Sequence, residues 1–245
     1  MSRTANIIWQ VIGIVTALGL LGGAVAWGYA MRPSKEVCPG LTYRWEDSSR
    51  RYLSESELDS LLRKAEAYPV GKHIDLLAVY HIEEIVRSHP MVDRAECYTT
   101  PKYEVRVDIR QRVPLMEVRT PIERYFIDTR HTVMPWREEV RDDVLVVTGA
   151  VGPQAATTTL VRFAEWLQEE DYWRERIASV HMRTPQNAVL VLRGEGQPQV
   201  VMGSMNDYKR KLRKLRTFFE NSEEAMQGKH YRELDIRFRG QVIGR

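Results

Sequence analysis

The 245-residue sequence has few of the features that identify an enzyme or a nucleic-acid-binding protein. It has two cysteines, Cys38 and Cys97, which is too few for a disulfide framework. Its formal net charge of +3 is too small over this length to indicate binding to nucleic acid. No G-x-S-x-G elbow, P-loop, HExxH motif or paired-cysteine motif is present. The sequence therefore predicts a protein without catalytic residues, cofactor or bound metal.

The acidic pairs are the remaining candidates for catalysis. Glu138-Glu139 and Glu223-Glu224 lie in polar stretches, which are typical of solvated loops and helix ends. An anchored hydrolase that uses one such pair is an alternative, but a non-enzymatic protein fits the sequence better.

The longest apolar run covers residues 7–30 and contains no charged side chain. A helix of about 24 residues is about 36 Å long, which is enough to cross a hydrocarbon core of about 30 Å. We therefore predict a cytoplasmic tail (1–6), a single transmembrane helix (7–30) and a juxtamembrane linker (31–40). A cleaved signal peptide is the alternative, because Ala24-Val25-Ala26 fits a cleavage site. More basic residues follow the run than precede it, so charge alone does not predict export of the C-terminal part.

Residues 41–118 have the pattern of a small α+β domain. A strand is expected near Leu41, a helix after a capping box at Ser54, and a second helix from Leu76 to Ser88 with Leu76 and Tyr80 facing inward. A hairpin follows, and its second strand, YEVRVDIR, alternates strictly. Its apolar face holds Tyr103, Val105, Val107 and Ile109. The predicted order is strand, helix, helix, strand, strand.

Residues 119–245 predict a larger, mainly antiparallel β domain with two or more helices. Short strands dominate, and helices are expected at residues 158–169 and 206–219. The final segment, YRELDIRFRGQVIGR, alternates Leu234, Ile236 and Phe238 with charged residues. Such a terminal strand either accepts a strand from a partner or is simply held by its neighbour.

The second predicted helix of this domain carries the densest positive charge in the chain. In NDYKRKLRKLRTFF, Tyr208, Leu212, Leu215 and Phe219 follow helical spacing among six basic residues. A solvated basic face over an apolar seam is the favoured interpretation. Binding to an acidic partner, to lipid headgroups or to nucleic acid remains an alternative.

Residues 82–118, IEEIVRSHPMVDRAECYTTPKYEVRVDIRQRVPLMEV, resemble the FtsQ/DivIB family of bacterial cell-division proteins. The similarity includes the strand entry at Pro90, Val92 and Ala95 and the strand exit at Arg112 and Pro114. The stretch VVMGSMNDYKRKLRKLRTFF is similar to the family's glycine-then-helix element. LDIRFRGQVIGR resembles its closing Asp-x-Arg-aromatic strand.

The resemblance implies a short cytoplasmic tail, one transmembrane helix, a POTRA domain (41–118) and a β domain (119–245) outside the bacterial cell inner membrane. It implies a divisome scaffold at the division septum that links early and late division proteins during septation. FtsB- and FtsL-type single-span proteins would bind the β domain, and other divisome proteins the POTRA domain. The expected partner-binding residues lie on the closing strand and the adjacent helix: Tyr231, Leu234, Ile236, Arg237, Phe238, Gln241, Val242, Tyr208, Leu212 and Leu215.

A POTRA-containing transport or outer-membrane assembly factor is the alternative function. It is disfavoured because only one POTRA-like unit is evident in the sequence.

Overall fold

The computed structural model describes residues 13, 15–24, 27, 36–140, 142–152, 156–222 and 231–245. Residues 15–24 are helical. No helix among the described residues has both the length and the hydropathy that crossing a membrane requires. The predicted tail, parts of the predicted transmembrane helix and half of the predicted linker lie outside the described residues.

The first folded unit is a three-stranded sheet with two α-helices. Its strands are β1 (Leu41–Trp45), β2 (Val92–Thr99) and β3 (Val105–Gln111). They lie in the order β1-β3-β2, with β1 parallel and β2 antiparallel to β3. Helices α1 (Glu55–Lys64) and α2 (Val79–Arg87) share one apolar core with the sheet. The predicted order of strand, helix, helix, strand, strand is confirmed.

Local signals placed the start of α1 and the face of β3 correctly. The Ser54 hydroxyl accepts a hydrogen bond from the Glu57 backbone N–H at 3.2 Å, as an N-cap does. Burial alternates along all of β3, with Val105, Val107 and Ile109 on the inner face. Tyr103, predicted on that face, instead has a φ of 62° and lies in the preceding turn, where it is exposed.

The second predicted helix starts later than expected. A 3₁₀ turn (Ile74–Leu76) precedes α2, which begins at Val79. The turn breaks the helical phase, so Ile82 and Val86 face the core. The prediction that Leu76 and Tyr80 face inward is wrong, because these side chains are 77% and 65% exposed.

The second folded unit is a nine-stranded sheet in the order β12-β11-β10-β9-β8-β7-β4-β5-β6. Its strands are β4 (Pro114–Arg119), β5 (Arg124–Asp128), β6 (Val133–Pro135), β7 (Leu145–Gly149), β8 (Ile177–Thr184), β9 (Asn187–Leu192), β10 (Gln199–Gly203), β11 (Glu233–Asp235) and β12 (Ile243–Gly244). The helices that pack with it include α3 (Thr159–Glu169), α4 (Asp171–Arg174) and α5 (Tyr208–Ser222).

The pairing in this sheet is more mixed than the sequence predicts. Antiparallel pairs predominate, but β4–β7, β7–β8 and β10–β11 are parallel. Helices connect β7 to β8 and β10 to β11, and such crossovers return the chain in the same direction. Strand β4 pairs with β5 and β7, so the large sheet begins at Pro114, within the range predicted for the POTRA domain.

One core unites the helices with one face of the large sheet. Alternate strand residues such as Val147, Val180 and Val200 contact it. Phe163 from α3 and Leu212 from α5 complete it, and both are fully buried.

Ion pairs and a small apolar cluster connect the two units. The Arg137 guanidinium donates two hydrogen bonds to the Glu57 carboxylate, one of them at 2.9 Å. His89 Nε2 lies 3.3 Å from the same carboxylate. The hydrogen bonds from Arg137 hold the pKa of Glu57 below its ordinary value, whereas burial lowers the pKa of His89. The apolar cluster contains Tyr52, Met91, Phe126 and Met134.

Candidate functional site

The C-terminal segment forms one edge of the large sheet. Strand β11 pairs in parallel with β10 and antiparallel with β12, which is the outermost strand. The Arg245 N–H donates to the Glu233 carbonyl at 2.9 Å, and the Glu233 N–H donates to the Arg245 carbonyl at 3.1 Å. Hydrogen-bonded and non-bonded positions alternate in antiparallel pairs, so Gly244 directs its backbone N–H and C=O outward. This edge can therefore accept another strand.

The chain reverses direction between β11 and β12. The predicted alternation of Leu234, Ile236 and Phe238 along one strand fails after Asp235, where β11 ends. Leu234 and Ile236 are fully buried, but Phe238 lies in the connection and is 46% exposed. Gly240, with a φ of 78°, allows the turn that brings residues 243–244 back along β11. The outer edge of β11 is thus covered by this chain's own return strand.

An ion pair between the buried Asp235 and the exposed Arg237 fixes the start of this connection. Arg237 donates to Asp235 through Nε at 3.0 Å and through Nη2 at 2.6 Å. These hydrogen bonds lower the pKa of the buried Asp235 carboxyl. The aliphatic part of Arg237 lies over Gly203, where an added Cβ would come within 2.9 Å of two of its carbons. The pair therefore needs glycine at the end of β10.

Two lysines of α5 hold the loops beside this edge. Lys214 Nζ donates to the carbonyls of Ile236 at 3.0 Å and Gln241 at 2.7 Å, and also to that of Phe238. Lys211 Nζ donates to carbonyls at the end of β10, including that of Met202 at 3.1 Å. Desolvation lowers the pKa of both ammonium groups. Helix α5 and the closing turn are therefore joined through backbone oxygens.

The ten predicted partner-binding residues fall into three groups. Four have fully buried side chains that face the core and cannot touch a partner in this conformation: Leu212, Leu215, Leu234 and Ile236. Three are exposed near the edge: Arg237, Phe238 and Gln241. The remaining three are partly buried: Tyr208, Tyr231 and Val242.

The partly buried residues have structural contacts of their own. The Tyr208 ring packs edge-on against Phe163 at 5.2 Å between centroids. The Tyr231 ring covers Gly244, where an added Cβ would come within 2.3 Å of it. Sequence reasoning missed Lys214 and Gly203 as residues that shape the edge. The position of Gly203 directly after an apolar strand could have indicated its role. Nothing in the sequence distinguishes Lys214 from the five other basic residues of the same helix.

The described acidic groups are engaged mainly by arginines. Glu117 is buried, which by itself would raise its pKa, but hydrogen bonds from Arg119 and Arg124 outweigh burial and lower it. Asp128 accepts from Arg112 Nη1 at 2.8 Å. Within the described ranges, no group of three or more His, Cys, Asp or Glu side chains could hold a metal ion.

The fold joins a POTRA-like unit to a mixed sheet that ends at the β12 edge. Residues 36–110 match the model of a POTRA-like domain. Residues 113–245, more than half of the chain, match the model of the family described as FtsQ/DivIB, C-terminal related, and the chain belongs to the FtsQ/DivIB family. A search of the curated proteins found no match. Family membership gives the chain a general scaffold role in cell division, with protein–protein interaction inside the division machinery.

Proposed function

We propose that the chain is a non-enzymatic divisome scaffold of the bacterial cell inner membrane. Its N-terminus is cytoplasmic, and its C-terminal part is periplasmic at the division septum. FtsB- and FtsL-type single-span proteins bind the β domain, and other division proteins bind the POTRA domain. In this way the chain links early and late division proteins during septum formation.

The open edge at β12 is the observation that carries the proposal. Gly244 offers one outward N–H and one outward C=O, and a partner strand that pairs there gains main-chain hydrogen bonds. Phe238 lies in the adjacent connection and is 46% exposed, so it offers apolar area next to the hydrogen-bonding edge. Arg237 and Gln241 add polar groups beside it. The buried predicted residues support this edge from the core and do not contact the partner.

A charge placed at Phe238 tests the proposal. Phe238→Glu should weaken co-purification of the full-length chain with FtsB and FtsL by about tenfold or more, because burying an unpaired carboxylate against an apolar contact is unfavourable. Ile122→Glu is the matched control, because Ile122 is 92% exposed in the turn between β4 and β5. The control should bind as the unsubstituted chain does.

Deletion of residues 231–245 removes β11 and β12 and should abolish binding, while the first folded unit retains its structure. Undiminished binding by this deletion, or equal losses in Phe238→Glu and Ile122→Glu, would place the partner elsewhere. Recovery of the chain from the outer-membrane fraction would instead favour the transport or assembly function.

A further inference from the structure

Five of the six cations of α5 form two rows with different surroundings, and the sixth, Arg210, pairs with Asp207. Lys211 and Lys214 point to the strand ends and are engaged by backbone carbonyls. Lys209, Arg213 and Arg216 occupy positions i, i+4 and i+7 on another face, and all three are exposed. The first row is explained by its structural contacts, but the second is not.

The second row has unused hydrogen-bonding capacity. Arg216 Nε pairs with Glu220 at 2.7 Å, and its guanidinium lies 4.5 Å from the Tyr172 ring centroid. Within the part of the chain that the structure describes, the side chains of Lys209 and Arg213 make no hydrogen bond or ion pair, although the Arg213 backbone carbonyl accepts from the Thr217 hydroxyl at 3.2 Å. Two cations on this face are therefore free to pair with an external anion.

These cations line a concave surface. A groove with a cavity of about 250 Å³ lies between α5 and the α3–α4 segment. Its lining, which defines what we call the α5 groove, consists of Trp166, Glu170, Trp173, Lys209, Arg213 and Arg216. Trp173 is buried and Trp166 is half-buried, so the two indoles give the groove an apolar floor beneath a basic wall. This combination suits an amphipathic acidic ligand.

We propose that the α5 groove binds an acidic helical segment of a partner protein. The row from Lys209 to Arg216 covers eight residues, and its two ends are about 10 Å apart along the helix. Carboxylates at positions i, i+4 and i+7 of a second helix match this spacing, and its aliphatic side chains cover the indoles. The groove and the β12 edge flank α5, so this surface is separate from the strand-addition site and does not depend on it.

The charges around the groove favour a peptide over a membrane. The carboxylate of Glu170 lines the groove, and that of Glu220 pairs with Arg216 on its wall. A plane of anionic headgroups would meet these carboxylates together with the cations, and the opposing contributions would largely cancel. A single helix about 10 Å wide contacts the groove without covering its rim.

The test uses a synthetic helical peptide with glutamates at i, i+4 and i+7, and a sibling with glutamines at the same positions. The full-length chain should bind the glutamate peptide, more weakly as salt is raised, and should not bind the glutamine peptide. Lys209→Glu/Arg213→Glu should weaken binding by about tenfold or more. Arg44→Glu/Lys102→Glu changes the net charge equally at exposed positions of the first unit and should leave binding within about twofold.

Three results would overturn the proposal. The first is that the glutamate peptide does not bind, and the second is that the two double variants lose peptide binding equally. The third is that Lys209→Glu/Arg213→Glu alone weakens binding to phosphatidylglycerol vesicles while peptide binding stays unchanged. The last result would assign the surface to a membrane. If the charge-reversed variant does not fold, Lys209→Gln/Arg213→Gln serves in its place. Retained FtsB and FtsL binding by the groove variant separates this proposal from the function of the β12 edge.

Discussion

Replacing Lys214 with methionine removes the ammonium group that joins α5 to the closing turn. The Nζ atom donates to three carbonyls, those of Ile236, Phe238 and Gln241, and these lie on both sides of the reversal after β11. Methionine keeps a flexible apolar stem of similar length, so the packing along the helix is largely retained. The substitution therefore tests the hydrogen bonds more than the packing.

The expected loss is smaller than the sum of three charged hydrogen bonds. A hydrogen bond to a charged group contributes about 1.5–3 kcal/mol net. The bond to the Ile236 carbonyl is partly buried, whereas those to Phe238 and Gln241 are exposed, and water can replace the ammonium there. We expect the free energy of unfolding to fall by about 2 kcal/mol, nearly all from the partly buried contact.

Urea unfolding of the full-length chain measures this loss, and Lys209→Met is the matched control. Lys209 lies on the same 15-residue helix, but it is exposed, so its replacement should change stability by less than about 0.5 kcal/mol. For Lys214→Met, a loss of about 2 kcal/mol corresponds to a midpoint lower by about 1 M urea. Equal midpoints in the two variants would refute the reasoning that Lys214 stabilises the turn.

Two further predictions concern the ion pairs. Gly203→Ala and Gly240→Ala both place a side chain at positive φ, 68° and 78° respectively, which costs about 1 kcal/mol in each case. Only at Gly203 would the new Cβ also press on Arg237. Thermal unfolding should therefore show the larger loss for Gly203→Ala, and equal shifts would contradict the account. Glu57 stabilises the fold fully above its ordinary pKa of 4.5, and this contribution is lost as the pH falls through the lower folded-state value. Glu57→Gln should thus lower stability by about 1 kcal/mol at pH 7 and by less at pH 3, and an undiminished difference at pH 3 would contradict this.

The first folded unit could be predicted from the sequence because the patterns that define its elements involve residues close together in the chain. The strict alternation of β3 and the Ser54 cap each depend on neighbours within a few residues. The parallel pairs of the large sheet were missed, although strand–helix–strand segments at β7–β8 and β10–β11 are typical of parallel crossovers. The early end of β11 could not be predicted, because it depends on the Asp235–Arg237 pair and its contact with Gly203, which is distant in sequence.

Regular spacing of apolar residues in the sequence does not identify the side chains that a partner can reach. Apolar residues at regular spacing, such as Leu212 and Leu234, are the ones that pack into the core, and both are fully buried. Phe238 fits the alternation in the sequence, but it is exposed because β11 ends at Asp235. The family resemblance points to the C-terminal segment, and only tertiary packing separates the side chains that support the edge from those that a partner can reach.

Hydrogen exchange of the Gly244 amide, with and without FtsB and FtsL, tests the proposed strand addition most directly. In the free chain this N–H points outward from the edge strand and should exchange rapidly. The account predicts that the Gly244 amide becomes strongly protected in the complex, because it donates to the partner strand. Protection elsewhere in the chain, with Gly244 exchanging as fast as before, would contradict it.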